Sequence, residues 1–495
     1  MVPPMIDITG VLDPNAKTSS GDKISLHKQL VERLQQAILS GRLPADTRLS
    51  SSRTLATELG VSRNTVVLAY EHLAAEGYII ADQQGTKVAS LSAQSARIRS
   101  VKKAQTTPVT LAKRWHNLAD SKPTSDIKQA SLTPGMPALD HFPIAAWRRS
   151  LERTTKQLHR QSLLSHEPLG VPALKQSIAN HLHIARGVKC EPNQIVITAG
   201  AQQALDLCLA LITNPEETVW IEDPCYFGAK SALNIRGLTV VSIPVDKEGI
   251  DAVNATQATH THPPKLIFTT PAHQYPTGAV LSVARRLALI EYAQKIGAWI
   301  IEDDYDGDFR HFGSPIASMQ GLIEDAPVIY IGSFSKTLFP ALRIGFMVLP
   351  KNLMNQASPI LETMLSSGNQ LQQLALADFM TSGEFGRHLG RMRRVYRERQ
   401  KVLKAALVQY FPRDWILGGS AGMHLTLTLS ADLNDKSIAE EANRQGIGVT
   451  ALSIYYSNTP AKRHGLVIGY GYTDKEKIIQ SIATLAKIIQ AHSSH

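Results

Sequence analysis

The sequence predicts two unlike folded parts: a small, mostly α domain with a β wing, read as a winged helix-turn-helix, and a large C-terminal α/β domain with a smaller α+β subdomain. Three observations predict this. Residues 20–90 carry three helical patterns followed by two short apolar runs about a glycine-containing turn. Residues 91–130 are rich in Ser, Thr, Ala, Gln and Lys without a sustained apolar period, which reads as a basic, flexible linker. Residues 131–495 alternate apolar strands with amphipathic helices, the pattern of a mostly parallel sheet.

Composition limits the function class. At 495 residues the chain has room for roughly two to four domains, and its 43% apolar content is that of a globular protein. Cys190, Cys208 and Cys225 have no metal-ligand spacing and read as buried thiols in a reducing cytosol, so no metal is expected. The start lacks the basic end and apolar stretch of a signal peptide, and no apolar run approaches the ~20 residues that span a bilayer. A cytoplasmic protein without membrane contact is expected. The net charge of +10 is uneven. Residues 1–90 hold nine basic and nine acidic residues, whereas 91–130 hold eight basic residues, Lys102 and Lys103 among them, against Asp120 and Asp126. A second basic run, from Arg387 to Lys404, reads as one solvated helix.

In the first part, Leu26, Leu30, Leu34 and Ile38 give a helix over 25–40 one apolar stripe. A short helix over 52–59 stops at Gly60, and a third starts at the hydroxyl cap Ser62 and runs to about residue 76. Residues 78–80 and 87–89 bracket a turn over 83–86, a two-stranded wing. The two short helices have helix-turn-helix spacing, which points the start of the second at base edges. Arg63 has a fork for guanine, Asn64 pairs with adenine, Thr65 meets a methyl or phosphate, and Arg53 is placed for phosphate. Gly85 and Thr86 of the wing turn are expected at the minor groove. The stretch resembles the GntR-type winged helix-turn-helix family through Leu49-Ser50-Ser51-Ser52-Arg53, Leu55-Ala56, Gly60-Val61-Ser62-Arg63-Asn64-Thr65-Val66, Ala69-Tyr70, Leu73, Glu76-Gly77 and Gly85-Thr86. Ser50 stands where that family usually has proline. The resemblance implies a double-stranded DNA operator as partner.

In the second part, strands are expected over 194–198, 218–221, 266–269, 299–302 and 328–331, and a half-buried strand over 424–429. The run Gly332-Ser333-Phe334-Ser335-Lys336-Thr337-Leu338, with Arg343 seven residues beyond the lysine, suits a cofactor bearing an aldehyde and a phosphate. Lys336 would take the aldehyde as a Schiff base, while the hydroxyls of Ser333 and Ser335 and an arginine two helical turns on would hold the phosphate. That cofactor is pyridoxal phosphate. The small-residue turn Gly200-Ala201-Gln202 opens a helix and offers backbone N–H groups to the phosphate. Tyr226, after a parallel strand, is placed to stack on a pyridine ring. Asp303 suits the ring nitrogen and Tyr305 the ring hydroxyl. Glu302, Asp304, Asp306 and Gly307 have the spacing of a calcium loop, but position twelve of that loop is Gly313 and a buried strand precedes it.

These features together resemble the fold-type I pyridoxal phosphate-dependent aminotransferases over nearly all of 130–490. The fusion resembles a MocR-type transcriptional regulator. The resemblance implies these cofactor roles for Lys336, Asp303, Tyr305, Tyr226, Ser333, Arg343 and the 200–202 turn, and a homodimer. Ser165 lies near where a tyrosine often reaches the partner subunit's cofactor, and two further positions depart. Tyr275, in His273-Gln274-Tyr275-Pro276-Thr277-Gly278, stands where aminotransferases carry the asparagine that contacts the ring hydroxyl. On the late strand, Val467 occupies the place of the arginine that holds a substrate carboxylate, and Arg463 is the nearest candidate. Tyr275 and Arg463 are therefore the expected effector-side residues. The expected function is a DNA-binding regulator whose second part senses pyridoxal phosphate or an amine or amino-acid effector. The alternative is a working aminotransferase with an appended DNA-binding domain.

Overall fold

The computed structural model describes residues 12–16, 23–82, 84–90, 130–158, 167–251, 263–313, 316–365, 368–457 and 463–493. The chain divides into two compact units, one within residues 1–110 and one within 111–495. Apart from Ala130, the predicted linker lies outside the described residues.

The N-terminal unit consists of α1 (Leu26–Leu39), α2 (Ser52–Leu59), α3 (Arg63–Ala75), and a hairpin of β1 (Ile79–Asp82) and β2 (Gly85–Val88). Leu30, Leu34 and Ile38 of the α1 stripe meet Leu55, Val66, Ala69, Leu73, Ile79 and Val88 in one core, while Leu26 is only partly buried. Gly60 ends α2 at φ 62°, a left-handed conformation that glycine adopts without a Cβ penalty. Two residues on, the Ser62 hydroxyl accepts the Thr65 N–H at 3.1 Å and sets the start of α3. The hairpin pairs Asp82 with Gly85 and Ala81 with Thr86. Gly85 and Thr86 are thus strand residues rather than turn residues, because pairing continues as far as Asp82 and Gly85.

The C-terminal unit opens with α4 (Ile144–Lys156) and α5 (Pro172–Arg186). There follow β3 (Ile195–Thr198), α6 (Ala201–Ile212), β4 (Thr218–Asp223), α7 (Phe227–Ile235), β5 (Thr239–Asp246), β6 (Gly249–Ile250), β7 (Leu266–Thr269), α8 (Val283–Ile296), β8 (Trp299–Asp304), β9 (Val328–Ser333), α9 (Phe334–Thr337) and β10 (Gly345–Val348). The eight strands lie in the order β3-β10-β9-β8-β7-β4-β5-β6. From β9 through β5 neighbours are parallel, whereas β10 runs antiparallel to both β3 and β9. Alternation along the strands buries both faces. Ile221, Phe268 and Ile331 pack with α6 and α7 residues such as Leu205 and Leu233, and Trp220, Ile267 and Ile300 pack with Leu289 and Ala293 of α8. Strands β4, β8 and β9 extend two residues beyond the apolar runs that predict them. Asp223, Asp303 and Ser333 therefore sit on strand ends instead of in loops.

Helices α10 (Lys351–Met364), α11 (Gln370–Thr381) and α12 (Glu384–Val408) lead to a second sheet of β11 (Ile416–Leu417), β12 (His424–Thr428), β13 (Thr450–Ala451) and β14 (Gly465–Gly469). Its order is β11-β12-β14-β13, all antiparallel. Helix α13 (Asp435–Arg444) precedes β13 and α14 (Lys475–Ser493) ends the unit. The half-buried reading of β12 does not hold. His424 is 3% and Thr426 0% exposed, because both donate to the Pro276 carbonyl, at 3.0 and 2.6 Å, and so pack against the loop after β7. Among the described residues no helix is long and apolar enough to cross a membrane.

The close approach of β10 to the start of α6 yields a test. A Cβ on Gly345 would lie 2.7 Å from the Gly200 Cα and carbonyl carbon. Backbone has nowhere to retreat in a central strand, so Gly345→Ala is expected to cost about 1–3 kcal/mol in urea denaturation. An unchanged midpoint would show that α6 can slide at its start.

Candidate functional site

At the N-terminal unit, Arg63 and Asn64 are exposed on the first turn of α3, and Arg53 is exposed on the first turn of α2. Arg63 Nε lies 3.5 Å from the Ser52 hydroxyl, which joins the first turns of the two helices. Ser62 is the expected cap, and Thr65 is bound to it at the tip of the helix. Their hydroxyls are 2.8 Å apart and Ser62 caps the helix, so both shape the tip of α3 before they reach outward. Arg48, which the sequence reading passes over, donates to Gln84 Oε1 at 2.7 Å and pairs with Asp82 at 3.4 Å on the wing. Only the hairpin register brings it there.

In the C-terminal unit three neighbouring strands assemble one cluster. Gly345 of β10 is paired with Thr198 of β3 on one side and Ser333 of β9 on the other. Gly200, with φ 106°, caps α6 immediately after β3. The first N–H groups of a helix have no partner within it, so Ala201 and Gln202 stand at a donor-rich end. The Arg343 guanidinium lies about 3.6 Å from where a Cβ on Gly200 would sit. Ser333 accepts the Ser335 N–H at 3.2 Å and starts the single turn of α9, which carries Lys336. Arg343 is not two helical turns further on. Helix α9 stops after Thr337, a short 3₁₀ turn begins at Pro340, and Arg343 takes a left-handed φ of 52° that turns it back toward Gly200. The Gln202 side chain turns away, donating to the Gly228 carbonyl at 3.1 Å.

Lys336 Nζ donates to the Gly135 carbonyl at 2.6 Å, and a Cβ on Gly135 would lie 2.8 Å from that nitrogen. Burial holds the Lys336 amine below its ordinary pKa, opposed by Asp306 and Asp303. This favours the neutral, nucleophilic form. At the end of β8, burial chiefly, and then Asp304, Asp306 and Glu222, push the Asp303 carboxyl up to about 7. Its Oδ1 is buried with no partner. Tyr305 points its hydroxyl at His273 Nδ1, 3.0 Å away, and that same nitrogen is 3.0 Å from Asp306 Oδ2. Tyr226 caps α7 with 42% of its surface exposed, and its ring stands edge-on to Tyr275 at 6.1 Å. The Tyr275 hydroxyl is 3.0 Å from that of Tyr455. Arg463 is exposed, beside residues 458–462, which lie outside the described residues.

His273, Asp306 and Tyr455 are site residues that sequence reasoning missed. No motif marks them; only the meeting of the loops after β7 and β8 with the segment after β13 does. His273, Asp306 and His424 bring ligand-type atoms within 4.8 Å of one another. Asp306 and Tyr305 already engage His273, and the Pro276 carbonyl engages His424.

Comparison with known proteins accords with this division of the chain. The profile of bacterial regulatory proteins, gntR family, matches residues 26–88, and that of aminotransferase class I and II matches 128–475. The probable rhizopine catabolism regulatory protein MocR of Rhizobium meliloti is 36% identical over 474 residues, 95% of each chain. The chain belongs to the MocR-type transcriptional regulators. It is also 29% identical to the HTH-type pyridoxine biosynthesis transcriptional regulator PdxR of Corynebacterium glutamicum, over 98% of this chain and 99% of that one. Among solved structures it is similar to Pyrococcus horikoshii kynurenine aminotransferase in complex with PMP, with a TM-score of 0.68 and 26% identity over 80% of this chain and 98% of that one. A MocR-type regulator with an aminotransferase fold implies a pyridoxal cofactor, and the residues here fit one. The unpartnered Asp303 oxygen suits a protonated ring nitrogen, Lys336 offers an amine, and the start of α6 with Arg343 forms a cradle that a Cβ on Gly200 would crowd.

The raised Asp303 pKa carries a stability signature. Asp303 titrates near 7 in the folded, cofactor-free protein against an ordinary 3.8. Folding therefore takes up a proton between those values, and stability falls as pH rises through that window. Asp303→Asn is expected to gain about 1–3 kcal/mol over the parent at pH 8, a gap that narrows toward pH 4, while weakening pyridoxal phosphate binding. Urea denaturation at several pH values checks it. Equal stability at every pH would mean that Asp303 is not a strained carboxylate.

Proposed function

We propose that this regulator binds pyridoxal phosphate through Lys336 and uses the bound cofactor to sense an amine or amino-acid effector, or the cofactor itself. In this reading residues 20–90 bind the operator, 91–130 form a basic linker with added phosphate contacts, and 131–495 hold the sensor. The observation that carries it is the unpartnered Asp303 carboxylate beside a partly buried, neutral-leaning Lys336 amine. Pyridoxal phosphate, when bound, supplies an aldehyde that bonds reversibly to an amine. Lys336 would hold that aldehyde carbon, Asp303 would keep a proton at the ring nitrogen, and Tyr305 would serve the ring oxygen. Tyr226 covers the ring face. Gly200, Ala201, Gln202, Ser333, Ser335 and Arg343 hold the phosphate. Tyr275 and Arg463 face the effector. An amine effector that took the place of Lys336 would free the Lys336 amine and alter its contacts on α9, the differential interaction a switch requires. Likeness to dimeric aminotransferases supports a homodimer, and a cytoplasmic site of action follows from DNA binding.

Two substitutions separate the functions. Lys336→Ala is expected to abolish the borohydride-reducible bond to cofactor while operator binding by the cofactor-free protein persists. Arg63→Ala is expected to keep the yellow, cofactor-bound form and weaken specific DNA binding by about 1–3 kcal/mol at fixed salt. A reducible bond retained in Lys336→Ala, or an unchanged footprint in Arg63→Ala, would remove that residue from its role. Rapid multiple-turnover transamination of a common amino acid would move the protein to the enzyme class.

A further inference from the structure

The stretch over residues 452–457, between β13 and β14, is tied to the ends of the large-sheet strands. The Tyr455 carbonyl accepts the Cys225 N–H at 3.0 Å and also Lys230 Nζ. Ser457 donates its N–H to Asp223 Oδ1 at 2.7 Å, and its hydroxyl is 2.6 Å from that of Ser242. From this anchored backbone the Tyr455 side chain reaches the loop after β7, where its hydroxyl meets that of Tyr275 at 3.0 Å with the two rings at 88°. Tyr275 is fixed by its ring. Tyr226, Tyr305 and His424 stand against it at 6.1, 5.8 and 5.1 Å. Its one remaining freedom is the direction of its proton.

We propose that Tyr455 is a positioning residue of the cofactor site: it engages the Tyr275 hydroxyl, withholds it from the cofactor's ring oxygen, and leaves Tyr305 as that oxygen's partner. The inference rests on the reading above that the site holds pyridoxal phosphate. Burial pushes both phenols up, Tyr275 well above its ordinary value, so each is a neutral donor rather than a phenolate. Without the Tyr455 hydroxyl, the largely buried Tyr275 hydroxyl would lack its partner, and a buried polar group without a partner turns to the nearest acceptor. In the loaded site that acceptor would be the ring oxygen, because the Tyr275 ring stands 5.8 Å from that of Tyr305, the partner assigned to this oxygen. An added donor favours the form in which that oxygen carries full negative charge, so it lowers the pH at which the cofactor's visible absorbance changes.

The experiment titrates the visible absorbance of the full chain, loaded with pyridoxal phosphate, against pH. Parent, Tyr455→Phe, Tyr275→Phe and the double variant are compared. Tyr455→Phe is expected to lower the midpoint by about one unit. Tyr275→Phe stays near the parent value, and the double variant matches Tyr275→Phe, because the freed hydroxyl is gone. A general loosening of the fold would instead persist in the double variant, and that result overturns the proposal, as does an unmoved midpoint in Tyr455→Phe. Failure of the parent chain to take up pyridoxal phosphate would overturn the functional reading and this inference together, and is recognised by the absence of any visible band.

Discussion

Five of the carboxylates at and just beyond the ends of β4 and β8 surround the site, which depends on how their charge is balanced. Glu222 accepts from Thr269, Thr270 and Gln274. Glu302 accepts the N–H groups of Met319 and Gln320 at 3.0 and 3.2 Å. Asp304 is paired with Arg186 at 2.6 Å, and Asp306 with His273. Asp303 alone among these five has no hydrogen bond or ion pair among the described residues. Removing such a group from water without a partner is costly, and the cost is seen in its raised pKa. A cationic ring nitrogen would supply the missing partner. The cost of burying Asp303 and the affinity for such a partner are two sides of one constraint.

The same arrangement explains why Lys336 is useful. Its partial burial lowers its pKa, while the carboxylates nearby limit how far the charge is lost. A Cβ on Gly135 would lie 2.8 Å from its amine, and the left-handed φ of 73° at that position favours glycine. The proposed phosphate end is built differently, from a helix start and an arginine brought in by a left-handed turn after Pro340. Affinity and chemistry are thus served by separate elements that meet only because β3, β10 and β9 are adjacent.

Much of this was legible in the sequence because it is local. The Ser62 cap, the Gly60 stop and the strand before Asp303 follow from residue type and spacing over a few positions. The order Gly200, Tyr226, Asp303, Lys336, Arg343 was legible because parallel strands deliver successive loops to one edge. What escaped is non-local or overrides a local rule. Strand β10 is not among the expected strands, and its antiparallel insertion between β3 and β9 has no marker in the sequence. The period-two pattern of β12 suggests one wet face, yet Pro276 covers it. Tyr455 meets Tyr275 across 180 positions, and His273 acquires its role only through Asp306. Arg48 lies outside the helix-turn-helix spacing and joins the wing through register alone.

The two units of the chain are matched to two different ligands, and regulation requires that each ligand feel the other. Thermodynamic linkage makes that requirement reciprocal: whatever factor cofactor loading applies to operator affinity, the operator applies to cofactor affinity. The most direct measurement is therefore the dissociation constant for an operator fragment, with cofactor-stripped and pyridoxal phosphate-loaded protein at one salt concentration, together with the cofactor's dissociation constant with and without that fragment. The account predicts an effect of roughly fivefold or more, equal in both directions. Operator affinity that is the same for stripped and loaded protein would contradict it.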